Sequence, residues 1–298
     1  MMNLIVLTSL AMLAFAGNSL LCRLALQHAG MDAATFTSVR LASGALVLWL
    51  IAWRQPAARP GRLAGGWVSA LALFAYAEAF SFAYIRLPAG TGALLLFAAV
   101  QISMIGWGLA RGERFTRAQT AGFALAVSGL VALLAPGLAA PPLASALLMV
   151  AAGIAWAVYS LRAKGAGDPT QVTAGNFVRA APLALAVSAA MLPSMHWEAT
   201  GLACAVASGA LTSGLGYVIW YAALRELRVT RAATVQLSVP VIAAFGGVAF
   251  LGESASLRLA VASVAVLGGV AIVLRVRGRH PASAAGLRSP ADNPPPSR

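Results

Sequence analysis

A chain of 298 residues that is 60% hydrophobic and only 10% charged is not a water-soluble domain, which carries about 25% charged residues. Its net charge of +13 would suggest nucleic acid in a soluble protein. No basic face alternates with stacking aromatics here, as single-strand binders require, so nucleic acid is excluded as a partner. The two cysteines, Cys22 and Cys204, lie in apolar runs without metal spacing or a disulfide framework, and neither a metal nor a cofactor is expected.

Apolar runs follow one another along the chain, and a bilayer-crossing helix needs ~20 such residues. Ten spans are predicted, at about 3–23, 33–53, 65–85, 89–110, 118–135, 143–162, 171–192, 199–223, 230–250 and 257–275. The first is too long for a signal-peptide core and has no basic residue ahead of it until Arg23, so it reads as a retained helix. Gln55-Pro56 to Pro60-Gly61, Pro136-Gly137 with Pro141-Pro142, and Gly165 to Pro169 mark breaks. Residues 276–298 are rich in Pro, Ser, Ala and Arg without apolar period, and read as a disordered tail.

Ten spans put both termini on one side. Of the 21 basic residues, sixteen fall in the connections and tail on that side, four (Arg23, Arg40, Arg86, Arg258) on the other, and Arg179 inside a span. The positive-inside rule places both termini in the cytoplasm.

The chain repeats itself weakly. Gly112-Glu113 matches Gly252-Glu253, each turn joining the fourth and fifth spans of its half, and Gly129 matches Gly269. Arg23 and Arg162, and Arg40 and Arg179, are each 139 residues apart, and Phe80 and Trp220 are 140 apart. A unit of five spans flips its copy. The expected architecture is all-α, with residues 1–137 and 138–275 as two inverted five-helix repeats ahead of the tail.

Ten spans, this repeat, the run LSVPVIAAFGGVAFLGE (237–253) and its approach TRAATVQLSVPV (230–241) resemble the drug/metabolite transporter superfamily, specifically its EamA-type members. The likeness covers residues 3–275. It implies two inverted halves around a central cavity, with spans one, three, four, six, eight and nine inside and five and ten at the periphery, working by alternating access. It further implies a bacterial inner-membrane exporter of amino acids and other small metabolites, with exporters of aromatic amino acids the nearest likeness. One departure matters. Related small multidrug pumps carry a glutamate in their first span, whereas this chain has Asn18 and no acid there, so a glutamate-driven antiport mechanism does not carry over.

The residues themselves suggest where a substrate would bind. Glu78 is the acid well inside a span, where a charge costs ~2.5–3.5 kcal/mol on insertion scales. It reads as a proton, cation or amine site, or as a protonated carboxyl bonded to a neighbouring helix. Pro240 lies inside the ninth span, where it cannot donate an amide bond and clashes with the carbonyl of Gln236. Gln236, Ser238 and Pro240 are therefore expected near the substrate path, with the alternative of an ordinary packed kink. Phe97 and Gln101 share a face of the fourth span. Tyr76 with Phe80, Trp156 with Tyr159, and Tyr217 with Trp220 could line an aromatic cavity, or mark membrane interfaces. Glu78 and Tyr76, two residues apart, lie about 200° apart around the helix and cannot both face one cavity. Arg40 and Arg179 are expected to snorkel to the headgroups, with a carboxylate-binding role as the alternative.

Two other classes remain. An intramembrane enzyme is disfavoured because His28, His196 and His280 fall in loops or the tail, with no nucleophile elbow or Walker loop. A passive channel should show a ring of charge or carbonyls, and none is legible. The partners expected are a small-molecule substrate and the bilayer, with the chain as a monomer or homodimer.

Overall fold

The computed structural model describes residues 4–54, 64–112, 114–135, 140–163, 166–227, 235–254 and 256–275, and those residues are helical apart from short connections. In chain order the helices are α1 (Leu4–Arg23), α2 (Ala33–Trp53), α3 (Trp67–Tyr84), α4 (Ala89–Ala110), α5 (Arg117–Leu134), α6 (Leu143–Ala163), α7 (Pro169–Ala190), α8 (Ala199–Ala207), α9 (Gly216–Glu226), α10 (Ser238–Leu251) and α11 (Leu257–Arg275). Two π-helical stretches interrupt the α pattern. Leu24–His28 extends α1, and Ser208–Leu215 joins α8 to α9 into one continuous span. The tail 276–298, the connections carrying Arg59, Arg62, Lys164 and Arg228, and Glu113 lie outside the described residues.

Nine spans among the described residues are long and apolar enough to cross a membrane. The ninth predicted span is described only from Val235, which with Gln236 is helical ahead of a turn at Leu237. Its helix α10 has 14 residues, with Pro240 in the first turn. There its missing amide is one of the donors a helix start leaves unpaired anyway.

Local chemistry sets matching ends in the two halves. Asp32 accepts from the Thr35 amide at 2.9 Å to open α2, and Asp168 accepts from the Gln171 amide at 3.0 Å to open α7. Such caps satisfy donors that the first turn cannot. The turn glycines Gly112 and Gly252 have φ of 92° and 63°, where a side chain would be strained.

Packing follows the same correspondence. Exchanging α1 with α6, α2 with α7, α3 with the α8–α9 span, α4 with α10 and α5 with α11 maps the main helix contacts onto one another. Thus α3 packs on α6 as α9 packs on α1, and α4 on α6 as α10 on α1. The pairs α2–α7, α4–α10 and α5–α11 map onto themselves. The α5–α11 pair stands at the edge of the bundle. A Cβ on Gly122 would lie 2.7 Å from the Gly269 carbonyl oxygen, so the two backbones touch, as small residues permit in membranes. Large apolar side chains such as Phe245, Phe250 and Val264 point outward.

One end of the bundle is tied shut. Arg23 Nε donates to Glu253 Oε1 at 3.0 Å, and Arg23 Nη1 donates to the Tyr84 carbonyl at 3.0 Å. Glu253 in turn accepts from the Ala89 amide at 2.8 and 3.0 Å, a carboxylate capping the positive end of α4.

Candidate functional site

Midway through the bundle, α1, α3, α4, α6 and the α8–α9 span leave a narrow pocket. Its wall includes Phe15, Asn18, Ser19, Tyr76, Phe80, Leu96, Phe97, Trp156, Thr212 and Tyr217. The aromatic side is continuous. Ring centroids are 4.7 Å apart for Tyr76–Trp156, 5.1 Å for Trp156–Tyr217 and 5.5 Å for Tyr76–Phe80. These rings meet tilted, the arrangement their quadrupoles favour over a flat sandwich. The open space holds about one water molecule, so a metabolite enters only when helices part.

The polar side depends on the π-helical stretch. Its i→i+5 pitch widens the turn and places three hydroxyls toward α1 and α2. Ser208 donates to Asn18 Oδ1 at 2.5 Å, and the Thr212 hydroxyl lies 3.4 Å from the same oxygen. Asn18 Nδ2 donates to the Tyr76 hydroxyl at 3.4 Å. Arg40 completes the network. Its Nη2 donates to the Tyr76 hydroxyl at 3.2 Å and its Nε to Ser213 Oγ at 3.3 Å. Its guanidinium stacks 4.9 Å from the Phe80 ring and 5.4 Å from Tyr76. Gly209 lets this happen, since a methyl there would overlap the Arg40 carbonyl oxygen and hold α2 away.

The predicted site residues divide into three sets. Tyr76, Phe80, Phe97, Trp156 and Tyr217 line the pocket together. Tyr159 and Trp220 are buried beside it, at 5.5 Å from Trp156 and 5.7 Å from Phe15 respectively. Gln101 is buried one turn beyond Phe97. Helix direction puts these three toward the end where α4, α6 and α9 finish. Gln236, Ser238 and Pro240 stand at that same end, where α10 begins, and do not line the pocket. Ser238 donates to the Val235 carbonyl at 2.7 Å, closing the turn into α10. Glu78 faces away from the pocket. It lies on the outer stripe of α3 with the exposed Leu71, and both its carboxyl oxygens are shielded without a hydrogen-bond partner. The histidines and acids form no metal-binding group among the described residues.

Arg40 corrects an expectation. It does not snorkel: it is 1% exposed, deep in the bundle. Arg179 was expected to reach the headgroups; it instead turns back to the Ala64 and Gly175 carbonyls at 3.1 and 2.7 Å. Phe15, Asn18, Ser19 and Thr212 also line the pocket and were not among the predicted site residues. Asn18 carried a signal as an amide in an apolar span, and Ser208, Thr212 and Ser213 carried one as hydroxyls. A regular 3.6-residue pitch puts Ser208 and Thr212 on one face but turns Ser213 about 100° away from Thr212.

Known proteins agree with this architecture. The profile of the EamA-like transporter family matches residues 143–275. An uncharacterized protein of Pseudomonas aeruginosa is 54% identical over 84% of this chain and 86% of its own length. A protein of Streptantibioticus cattleyicolor, described as a probable terminal-alkyne amino-acid exporter, is 30% identical over 62% of this chain and 63% of that one. The threonine/homoserine exporter RhtA of Salmonella typhimurium is 33% identical over 44% of this chain and 45% of its own. This chain thus spans less than two thirds of either exporter. A protein of known crystal structure shares the fold, with a TM-score of 0.66 at 21% identity over 91% of this chain and 96% of that one. The chain belongs to the EamA-like transporter family and is a multi-pass membrane transporter of small metabolites rather than an enzyme.

Proposed function

We propose that this protein exports amino acids, aromatic or otherwise neutral, across a bacterial inner membrane by alternating access, with both termini cytoplasmic. Residues 1–137 and 138–275 act as two inverted halves, and substrate binds where they meet. The observation that carries this reading is the pocket itself: a closed aromatic wall from α1, α3, α6 and α9 facing an amide and hydroxyls midway through the bundle. Inverted-repeat transporters hold substrate at such a place. The rings Tyr76, Phe80, Phe97, Trp156 and Tyr217 would pack on an apolar side chain. The faces of Trp156 and Tyr217 suit an ammonium group by cation–π attraction. Tyr159, Trp220 and Gln101 would continue the path toward the cytoplasmic end, with Gln236, Ser238 and Pro240 at its mouth. Glu78 would serve as a proton site apart from the pocket.

The direct test is counterflow in proteoliposomes with labelled L-phenylalanine and L-threonine. Saturable exchange is expected. Flux that rises without saturation makes the protein a channel, and absence of any flux for neutral amino acids refutes the substrate assignment.

A further inference from the structure

The pocket's polar side offers donors and a positive charge, and no acid to answer them. The Tyr76 hydroxyl accepts from both Arg40 and Asn18, which occupies its lone pairs and leaves its own proton to give. Asn18 is oriented by Ser208, so its amide nitrogen faces Tyr76 with a second proton free of the bond to that hydroxyl. The Arg40 guanidinium stands directly behind the rings of Tyr76 and Phe80. Its Nη1 is buried and has no hydrogen-bond partner, and no acidic side chain pairs with Arg40 among the described residues. A cation deep in a membrane bundle is costly and is normally paired with an acid or with carbonyls. Here its partners are a phenol, a serine and two aromatic faces.

Resting on the amino-acid reading above, we propose that this site selects its substrate by the carboxylate, taken by the Tyr76 hydroxyl and the Asn18 amide with Arg40 as the counter-charge. The geometry favours a monoanion, because a single guanidinium backs the pocket wall. A carboxylate is acceptor-only, which fits the two donors that the Tyr76 hydroxyl and the Asn18 amide have left to give. The aromatic wall then reads the rest of the molecule, and an amine contributes less than the acid does.

The test compares ligands that differ only at the carboxyl carbon. Thermal protection of the purified full-length protein is measured with L-phenylalanine against L-phenylalaninol, and with L-threonine against L-threoninol. The acids should protect and the alcohols should bind about 10-fold to 100-fold more weakly, the range of a hydrogen bond to a charged group. Arg40→Gln should weaken the acids by a similar factor and erase the distinction, and Arg40→Lys should restore part of it. Alcohols that bind within about 2-fold of the acids, an Arg40→Gln protein that still discriminates, or acids that give no protection would each overturn the proposal. If Arg40→Gln does not fold, the wild-type comparison of acid with alcohol still decides. Counterflow separates the two readings. Acids that protect but are never carried refute amino-acid transport and leave the carboxylate site standing. Flux shared equally by acid and alcohol refutes the site and leaves transport standing.

Discussion

Arg40 and Arg179 occupy matching places in the second helix of each half, yet they end in opposite surroundings. Arg179 turns back toward the start of its helix and spends its donors on the Ala64 and Gly175 carbonyls. Arg40 turns inward, and its bonds go to side chains of α3 and of the π-helical stretch. The neighbouring element decides between them. Next to α2, the widened turn at Ser208–Leu215 presents Ser213 and the bare backbone of Gly209. Next to α7, the corresponding helix α3 is regular, and the connection before it offers a carbonyl at Ala64 instead. A duplicated fold can therefore keep its helix pairing while only one copy supplies the charge at the pocket.

The sharpest way to break this contrast is to neutralise each arginine in turn. Arg40→Gln is expected to raise KM for a transported amino acid about 10-fold to 100-fold. Arg179→Gln should leave KM within about 2-fold, and should cost about 1–2 kcal/mol of stability as its carbonyl bonds are lost. KM from counterflow and thermal melting of the same preparations give both readings. Equal effects on KM would mean that the halves share the binding work.

A smaller effect is expected from the glycines that set each arginine's surroundings. Gly209→Ala would overlap the Arg40 carbonyl, and Gly175→Ala would overlap the Ala64 carbonyl. Each should cost about 1–3 kcal/mol of stability, the usual range for overpacking. Only Gly209→Ala should also weaken substrate binding, because it moves α2 and with it Arg40. Binding lost equally in both variants would show general loosening rather than a local device.

The end tie offers a third comparison. Among the described residues, Arg162, the counterpart of Arg23, donates to Ser69 Oγ at 3.3 Å, a neutral partner, whereas Arg23 holds Glu253; Glu113, the counterpart of Glu253, lies outside them. Glu253→Gln removes the charge and should weaken closure of that end by about 2 kcal/mol. Labelling of a cysteine introduced at Ser254 should then be faster than in the same cysteine protein with Glu253 intact. Labelling at an unchanged rate would mean that the ion pair does not control that end.

These contrasts mark how far the sequence could be read. The helices were legible because each is a long apolar run, and the pairing of halves because Arg23, Arg40 and Gly129 each recur after a near-constant interval. The aromatic wall was legible because Tyr76 with Phe80 and Trp156 with Tyr159 obey helical spacing. Asn18 and Arg40 were harder, since a polar residue in an apolar span looks alike whether it turns inward or toward the headgroups. Ser208 and Thr212 lie one regular turn apart and were within reach, but Ser213 was not, because bringing it to the same side depends on a π-helical pitch that small residues permit without announcing it. Pro240 was half legible: it marked an irregularity in the span, but not that it would fall in the first turn of α10.

The smallest effect on binding is expected at Glu78, which is also where sequence reading and geometry are most usefully set against each other. As an acid within a span it drew attention first, and Tyr76 two residues earlier competes for the same cavity. The structure gives that cavity to Tyr76 and turns Glu78 to the outer stripe of α3. Glu78→Gln keeps size and polarity while removing the ionisable proton. It should change KM by less than about 2-fold, far below the loss expected at Arg40, while any role in proton coupling would appear in how the maximal rate depends on pH. A KM rise matching that of Arg40→Gln would place substrate on the other face of α3 and would remove the pocket between the halves from the transport path.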